Sequence, residues 1–138
     1  MRTLLGAFVA MALLTGGTDT VSAGESSLLK DQVKLQVLSV GLTPGMPPGF
    51  YICAEGHLHI RATVENRSSV PLGKITVLGK VYDEAGQLLG TATASTKIAR
   101  LAQNEKTEVN LEFLKVTGTK IQQVKRDEET VTEVALAN

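Results

Sequence analysis

The chain has 138 residues, 14 Lys+Arg against 14 Asp+Glu, and 43% hydrophobic residues, which is room for one domain with an aliphatic core. A net charge of zero gives no electrostatic footprint for nucleic acid and no attraction to an anionic membrane surface. Three Phe, two Tyr and no Trp leave no stacking platform for bases or sugars.

The N-terminus reads as an export signal. Arg2 supplies a positive start, Leu4 to Leu14 is an apolar run, and Val21-Ser22-Ala23 puts small residues where a signal peptidase reads. The run is too short to span roughly 30 Å of hydrocarbon as a helix, and no Cys stands at the cleavage site to take a lipid. Residues 1–23 are therefore expected to be a signal peptide cleaved near Ala23. The mature chain, with no transmembrane segment, is then periplasmic or secreted. A single cysteine, Cys53, rules out an intramolecular disulfide, so the fold must hold by packing.

Residues 24–32 read as a flexible polar segment, and residues 33–136 as the folded domain. Val33, Leu35 and Val37 alternate with Lys34 and Gln36 as in a strand. At Leu38 the phase slips to Leu38, Val40 and Leu42, which predicts either two covered faces or a bulge. Thr43 to Gly56 is irregular, because Pro44, Pro47 and Pro48 forbid a central strand or a helix interior. Its Met46, Phe50 and Tyr51 are candidates for contact with a partner, since long loops in small domains often carry binding.

His57 to Asn66 is the clearest strand, with Leu58, Ile60, Ala62 and Val64 on one face and His57, His59, Arg61, Thr63 and Glu65 on the other. A turn cluster follows; its Asn66-Arg67-Ser68 fits a glycosylation acceptor and equally a turn. Lys74 to Asp83 is the next strand, with Ile75, Val77, Gly79 and Val81 on one face. Asp83 to Gly86 makes a turn into the small-residue strand Gln87 to Lys97, which points to a sheet edge or a closely approaching neighbour. Val109, Leu111 and Phe113 face inward on the strand from Thr107, and the glutamates Glu105, Glu108 and Glu112 read as solvent-facing. After Gly118, Lys120 to Lys125 and Thr130 to Leu136 read as a hairpin across the charged turn Arg126 to Glu129, with a C-terminal helix as the competing reading. About seven short strands with regular turn signals predict an all-β, single antiparallel β-sandwich of immunoglobulin or fibronectin-III type.

The stretch from Leu58 to Phe113 resembles the FxLYD-type domain, an immunoglobulin-like sandwich of exported prokaryotic proteins. The resemblance rests on Val64-Glu65-Asn66-Arg67-Ser68, on Val81-Tyr82-Asp83 with Gly86, and on Leu101 to Glu105. The chain departs from the pattern at Gly79, where the family has its signature Phe, and at Gln103-Asn104, where it has Pro-Gly. Membership would imply an accessory or binding module without catalytic residues.

The chemistry in the sequence is sparse. No Gly-rich phosphate loop, CxxC, HExxH or GxSxG is present, and no pair of carboxylates is placed for acid–base work. One constellation stands out: Cys53, His57 and His59 are spaced C-x3-H-x-H, with Met46 upstream. Alternate residues of a strand share a face, and soft S and N donors suit copper, or zinc with a fourth ligand. The plain alternatives are a buried apolar Cys53 and two histidines on an ordinary wet face. The sequence thus predicts a non-catalytic, exported interaction or structural module of the periplasm or cell envelope, partnered by another envelope protein. The alternatives are a periplasmic copper- or zinc-binding protein and a non-catalytic subunit of an exported enzyme complex.

Overall fold

The computed structural model describes residues 28–138. The expected signal peptide and the first residues of the 24–32 segment lie outside the described residues. Residues 28–30 are helical, Leu29 packs against the core, and the Arg67 N–H donates to Gln32 O at 2.8 Å. These contacts tie the end of that segment to the sandwich. Among the described residues no helix is long and apolar enough to cross a membrane.

Two antiparallel sheets face each other. One holds β1 (Val33–Val37), β2 (Phe50–Ile52), β3 (His57–Asn66) and β6 (Lys106–Thr117); the other holds β4 (Leu72–Tyr82), β5 (Leu88–Ser95) and β7 (Arg126–Leu136). A single helical turn, α1 (Thr119–Gln123), joins β6 to β7. The seven strands form the expected β-sandwich. β3 is the centre of the first sheet, bonded to β6 along one side and to β1 and then β2 along the other. Its alternation is the reason: Leu58, Ile60, Ala62 and Val64 are all fully buried, and burial of such a face is the main force holding a half-wet strand in register. Leu111, Phe113 and Val116 of the neighbouring β6 extend that buried face, and Ile75, Val77 and Val81 of β4 lie opposite it in the core.

The small residues of the middle strands make room between the layers. A Cβ at Gly79 would lie 2.7 Å from Leu111 Cδ1 and 3.0 Å from Phe113 Cζ. Side chains of the opposite sheet occupy the space that a side chain at position 79 would need. A Cβ at Gly90 would lie 2.6 Å from Val116 Cγ2, so the small-residue strand β5 is both a sheet edge and closely approached by β6.

The turn motifs have structural work. Asn66 is fully buried. Its Nδ2 donates to Val70 O and Leu101 O, at 2.8 and 2.9 Å, and its Oδ1 accepts from the N–H and Oγ of Ser68. Its amide is spent inside the fold, so the turn role explains Asn66-Arg67-Ser68. Asn104 has φ 68, the left-handed conformation, which Asn tolerates better than most residues other than Gly.

Three expectations need correction. The apolar phase slip at Leu38 is the end of a strand, not a continued or bulged one. At Arg61 the partner of β3 changes: its C=O accepts from the Leu38 N–H and its N–H donates to Gly49 O. The incoming chain takes over the edge of β3, so β1 stops at Val37 and Val40 is exposed. Second, the irregular segment contains the short strand β2, paired to β3 as Phe50↔Ile60, Tyr51↔His59 and Ile52↔Leu58. Third, the tail is not a hairpin. Arg126 to Glu129 lies inside β7, paired to β4 from Tyr82↔Arg126 to Gly79↔Glu129. Tertiary pairing decides here: the Arg126 guanidinium lies 3.9 Å over the Tyr82 ring, and the Tyr82 hydroxyl donates to Glu128 Oε1 at 3.0 Å. Asp127 and Glu129 alternate to the other face and are half-buried. Burial, then the adjoining Asp127 carboxylate, then Glu128, push Glu129 up to about 8, and its Oε2 is buried without a partner.

Candidate metal centre

The site begins with a hairpin turn. β2 ends at Ile52, the Cys53 N–H donates to His57 O, and the Gly56 N–H donates to Cys53 O at 2.9 Å. Gly56 takes φ 88, a conformation that costs a glycine little. This turn puts Cys53 and Glu55 beside His57, the first residue of β3.

The register of β3 on β6 supplies the rest. His59 stands opposite Glu112, Arg61 opposite Asn110 and Thr63 opposite Glu108. Side chains then reach across one step on the diagonal, as neighbours on one sheet face do. His57 Nδ1 lies 2.9 Å from Glu112 Oε2, His59 Nδ1 2.8 Å from Asn110 Oδ1, and Arg61 donates through Nε and Nη2 to Glu108 Oε1. One ligand atom from each of Cys53, Glu55, His57 and Glu112 lies within 4.8 Å of the others. Cys53, His57 and Glu112 are partly buried, and Glu55 is exposed. The donors are a thiol sulfur, an imidazole nitrogen and two carboxylate oxygens, a set that zinc accepts.

The predicted trio of Cys53, His57 and His59 is thus divided and enlarged. Cys53 and His57 are brought together. His59 sits one step along the same face, between Tyr51 of β2, whose ring stacks on it at 4.7 Å, and Glu112 of β6. Its side chain is only 10% exposed. His59 Nε2 is 3.6 Å from Glu112 Oε2 and has no hydrogen-bond partner. Met46 is not in the cluster; it packs against the core from the far side of the loop. Sequence reasoning missed two members, Glu55 on the turn and Glu112, which was expected to face solvent only. The outward position of Glu112 in the alternation of β6 is visible in the sequence, but its nearness to His57 depends on a pairing across 55 residues.

The predicted partner-contact residues separate as well. Phe50 points into the core at 4% exposure. Met46 and Phe50 line a groove of about 470 Å³ with Ile52 and with Ile121 and Val124 at α1. Tyr51 faces the opposite way, onto His59, and its hydroxyl accepts from Asn110 Nδ2 at 2.6 Å.

No family model matches the chain, and no curated protein matches it. Among solved structures, a DUF1425 family member from Shewanella sp. pv-4 is similar, with a TM-score of 0.45 and 18% sequence identity, over 77% of this chain and 81% of that one.

Proposed function

We propose that this chain is an exported, non-catalytic binding module of the periplasm or cell envelope, and that it binds a zinc-class ion at the end of its first sheet. The observation that carries this reading is the convergence of Cys53, Glu55, His57 and Glu112, whose ligand atoms lie within 4.8 Å of one another. A thiolate and an imidazole suit zinc or copper, and the carboxylates favour a divalent ion over copper(I). Four protein ligands close the coordination sphere, as in sites that hold an ion without turning over a substrate. The FxLYD-type assignment belongs to this proposal. Buried Asn66, left-handed Asn104 and the Asp83–Gly86 turn, in which Gly86 N–H donates to Asp83 O, support it.

Equilibrium dialysis of the purified chain against Zn²⁺ and Cu²⁺ tests the reading. One Zn²⁺ per chain is expected, lost in Cys53→Ala and in Glu112→Gln. No stoichiometric ion in the wild type, or binding unchanged in both variants, refutes it.

A second reading, contact with an envelope protein, is favoured by the apolar groove between the loop and α1. Met46→Asp is then expected to abolish reproducible recovery of a partner from native envelope extracts; recovery unaffected by that change counts against it.

A further inference from the structure

His59 is the least ordinary polar group on the outer face. It is buried, one of its nitrogens is held, and the other is orphaned. The held nitrogen has a defined role. Asn110 Nδ2 donates to the Tyr51 hydroxyl at 2.6 Å, so the atom that Asn110 turns toward His59 is its carbonyl oxygen, 2.8 Å from Nδ1. A carbonyl oxygen only accepts, so His59 Nδ1 carries the hydrogen and Nε2 is left to bond outward. Nε2 faces Glu112 Oε2 at 3.6 Å, too far for a hydrogen bond, and has no other partner. A nitrogen lone pair buried against a carboxylate oxygen is an unfavourable pairing that a proton on Nε2 or a metal cation between the two relieves.

The distance from Nε2 to Glu112 Oε2 fits such a cation; His59 lies outside the set of ligand atoms within 4.8 Å of one another, so binding must draw its ring toward Cys53. Two ligands with bonds of about 2.0–2.2 Å to one tetrahedral zinc stand about 3.3–3.6 Å apart. A ligating histidine is typically fixed by a hydrogen bond from its other nitrogen to an oxygen acceptor, and the pair formed by Asn110 and His59 is arranged that way. Tyr51 adds a second restraint by stacking on the ring at 4.7 Å with an interplanar angle of 20°. Glu55, by contrast, lies exposed on the turn, where holding it in place costs side-chain entropy.

We propose that His59 Nε2, rather than Glu55, is the fourth ligand of the ion held by Cys53, His57 and Glu112, and that Asn110 and Tyr51 are positioning residues that fix its tautomer. This rests on the metal reading above and names the coordination that makes the site selective. A set of one sulfur, two imidazoles and one carboxylate matches a borderline divalent ion and disfavours Mg²⁺ and Ca²⁺, which want oxygen.

The test is a Zn²⁺ titration of the wild type, Glu55→Ala, His59→Ala, Asn110→Leu and Asn110→Asp, with imidazole ¹⁵N spectra recorded at about pH 8, above the usual histidine range. Asn110 is exposed, so its variants report on the site without disturbing the core. His59→Ala and Asn110→Leu are expected to weaken Zn²⁺ binding by about 10- to 100-fold, and Glu55→Ala by less than about threefold. Asn110→Asp, which keeps an acceptor on Nδ1, is expected to bind within about threefold of the wild type. In the spectra, His59 Nε2 is expected to be unprotonated in the free wild type and to shift on adding Zn²⁺, and Asn110→Leu to mix the two tautomers. If Glu55→Ala loses the ion while His59→Ala and Asn110→Leu bind as the wild type does, this proposal is overturned and the metal reading stands with Glu55 as the ligand. If the wild type takes up no Zn²⁺, both fall.

Discussion

Asn66 and Glu112 mark the two ends of what one residue can do in this fold. Asn66 uses its whole side chain to hold the β3–β4 turn and the Leu101 segment together from inside. Truncating it orphans the buried Ser68 N–H, at a cost of about 1–3 kcal/mol, and removes one of two donors from Leu101 O and Val70 O, which keep the Leu72 N–H and Ser68 Oγ. Asn66→Ala is therefore expected to lower stability by at least about 2 kcal/mol, read as a fall in the urea midpoint. Gly79 is sensitive in the opposite direction. Gly79→Ala puts a methyl 2.7 Å from Leu111 Cδ1, and such overpacking costs about 1–3 kcal/mol. A thermal melt that shows no loss would mean that Leu111 and Phe113 move aside at little cost. Neither role is visible in the residue's own chemistry. Asn66 reads as a turn residue or sequon, and Gly79 as a gap in a motif, until the opposite sheet is in place.

At the scale of the element, one-sided strands were legible and pairing-dependent ones were not. β3 reads directly from sequence, because its inner face is apolar without interruption and its outer face is polar. β2 has three residues after a Pro-Pro-Gly run, too few for a period of two to emerge. β7 opens on four charges, and a run of charge is ordinarily a solvated turn. Here Tyr82 and Lys80 of β4 give Arg126 and Glu128 partners on the outer face. The inner face then carries Asp127 and Glu129 at a pH-dependent cost. Glu129 is raised from 4.5 to about 8, so between those values the folded chain holds a proton that the unfolded chain has lost. Stability is thus greatest below about pH 4.5 as far as this group is concerned, and falls as pH rises toward 8. The melting temperature of the wild type is expected to decline between pH 5 and pH 8.5 more steeply than that of Glu129→Gln. Parallel pH profiles for the two proteins would contradict this account of the β7 inner face.

For the whole molecule, the sandwich works as a frame that brings distant residues to one end of one sheet. The C-x3-H-x-H spacing pointed to the β2–β3 turn, because its members are close in the chain. The sequence alone could not supply Glu112 and Asn110, because only the β3–β6 register sets them beside His57 and His59. It also could not show that Tyr51 and Phe50, adjacent in sequence, serve opposite faces. An ion bound to the folded state alone stabilises that state by about 2.7 kcal/mol at a hundredfold excess over its Kd. Saturating Zn²⁺ is thus expected to raise the melting temperature by roughly 10 °C, and Cys53→Ala to remove the shift.

X-ray absorption at the zinc edge of the loaded chain reads the coordination sphere itself. The account predicts one sulfur at about 2.3 Å and three N or O neighbours at about 2.0–2.2 Å, with the outer-shell scattering of two imidazoles. A shell of oxygen and nitrogen alone, without sulfur and without imidazole scattering, would contradict it.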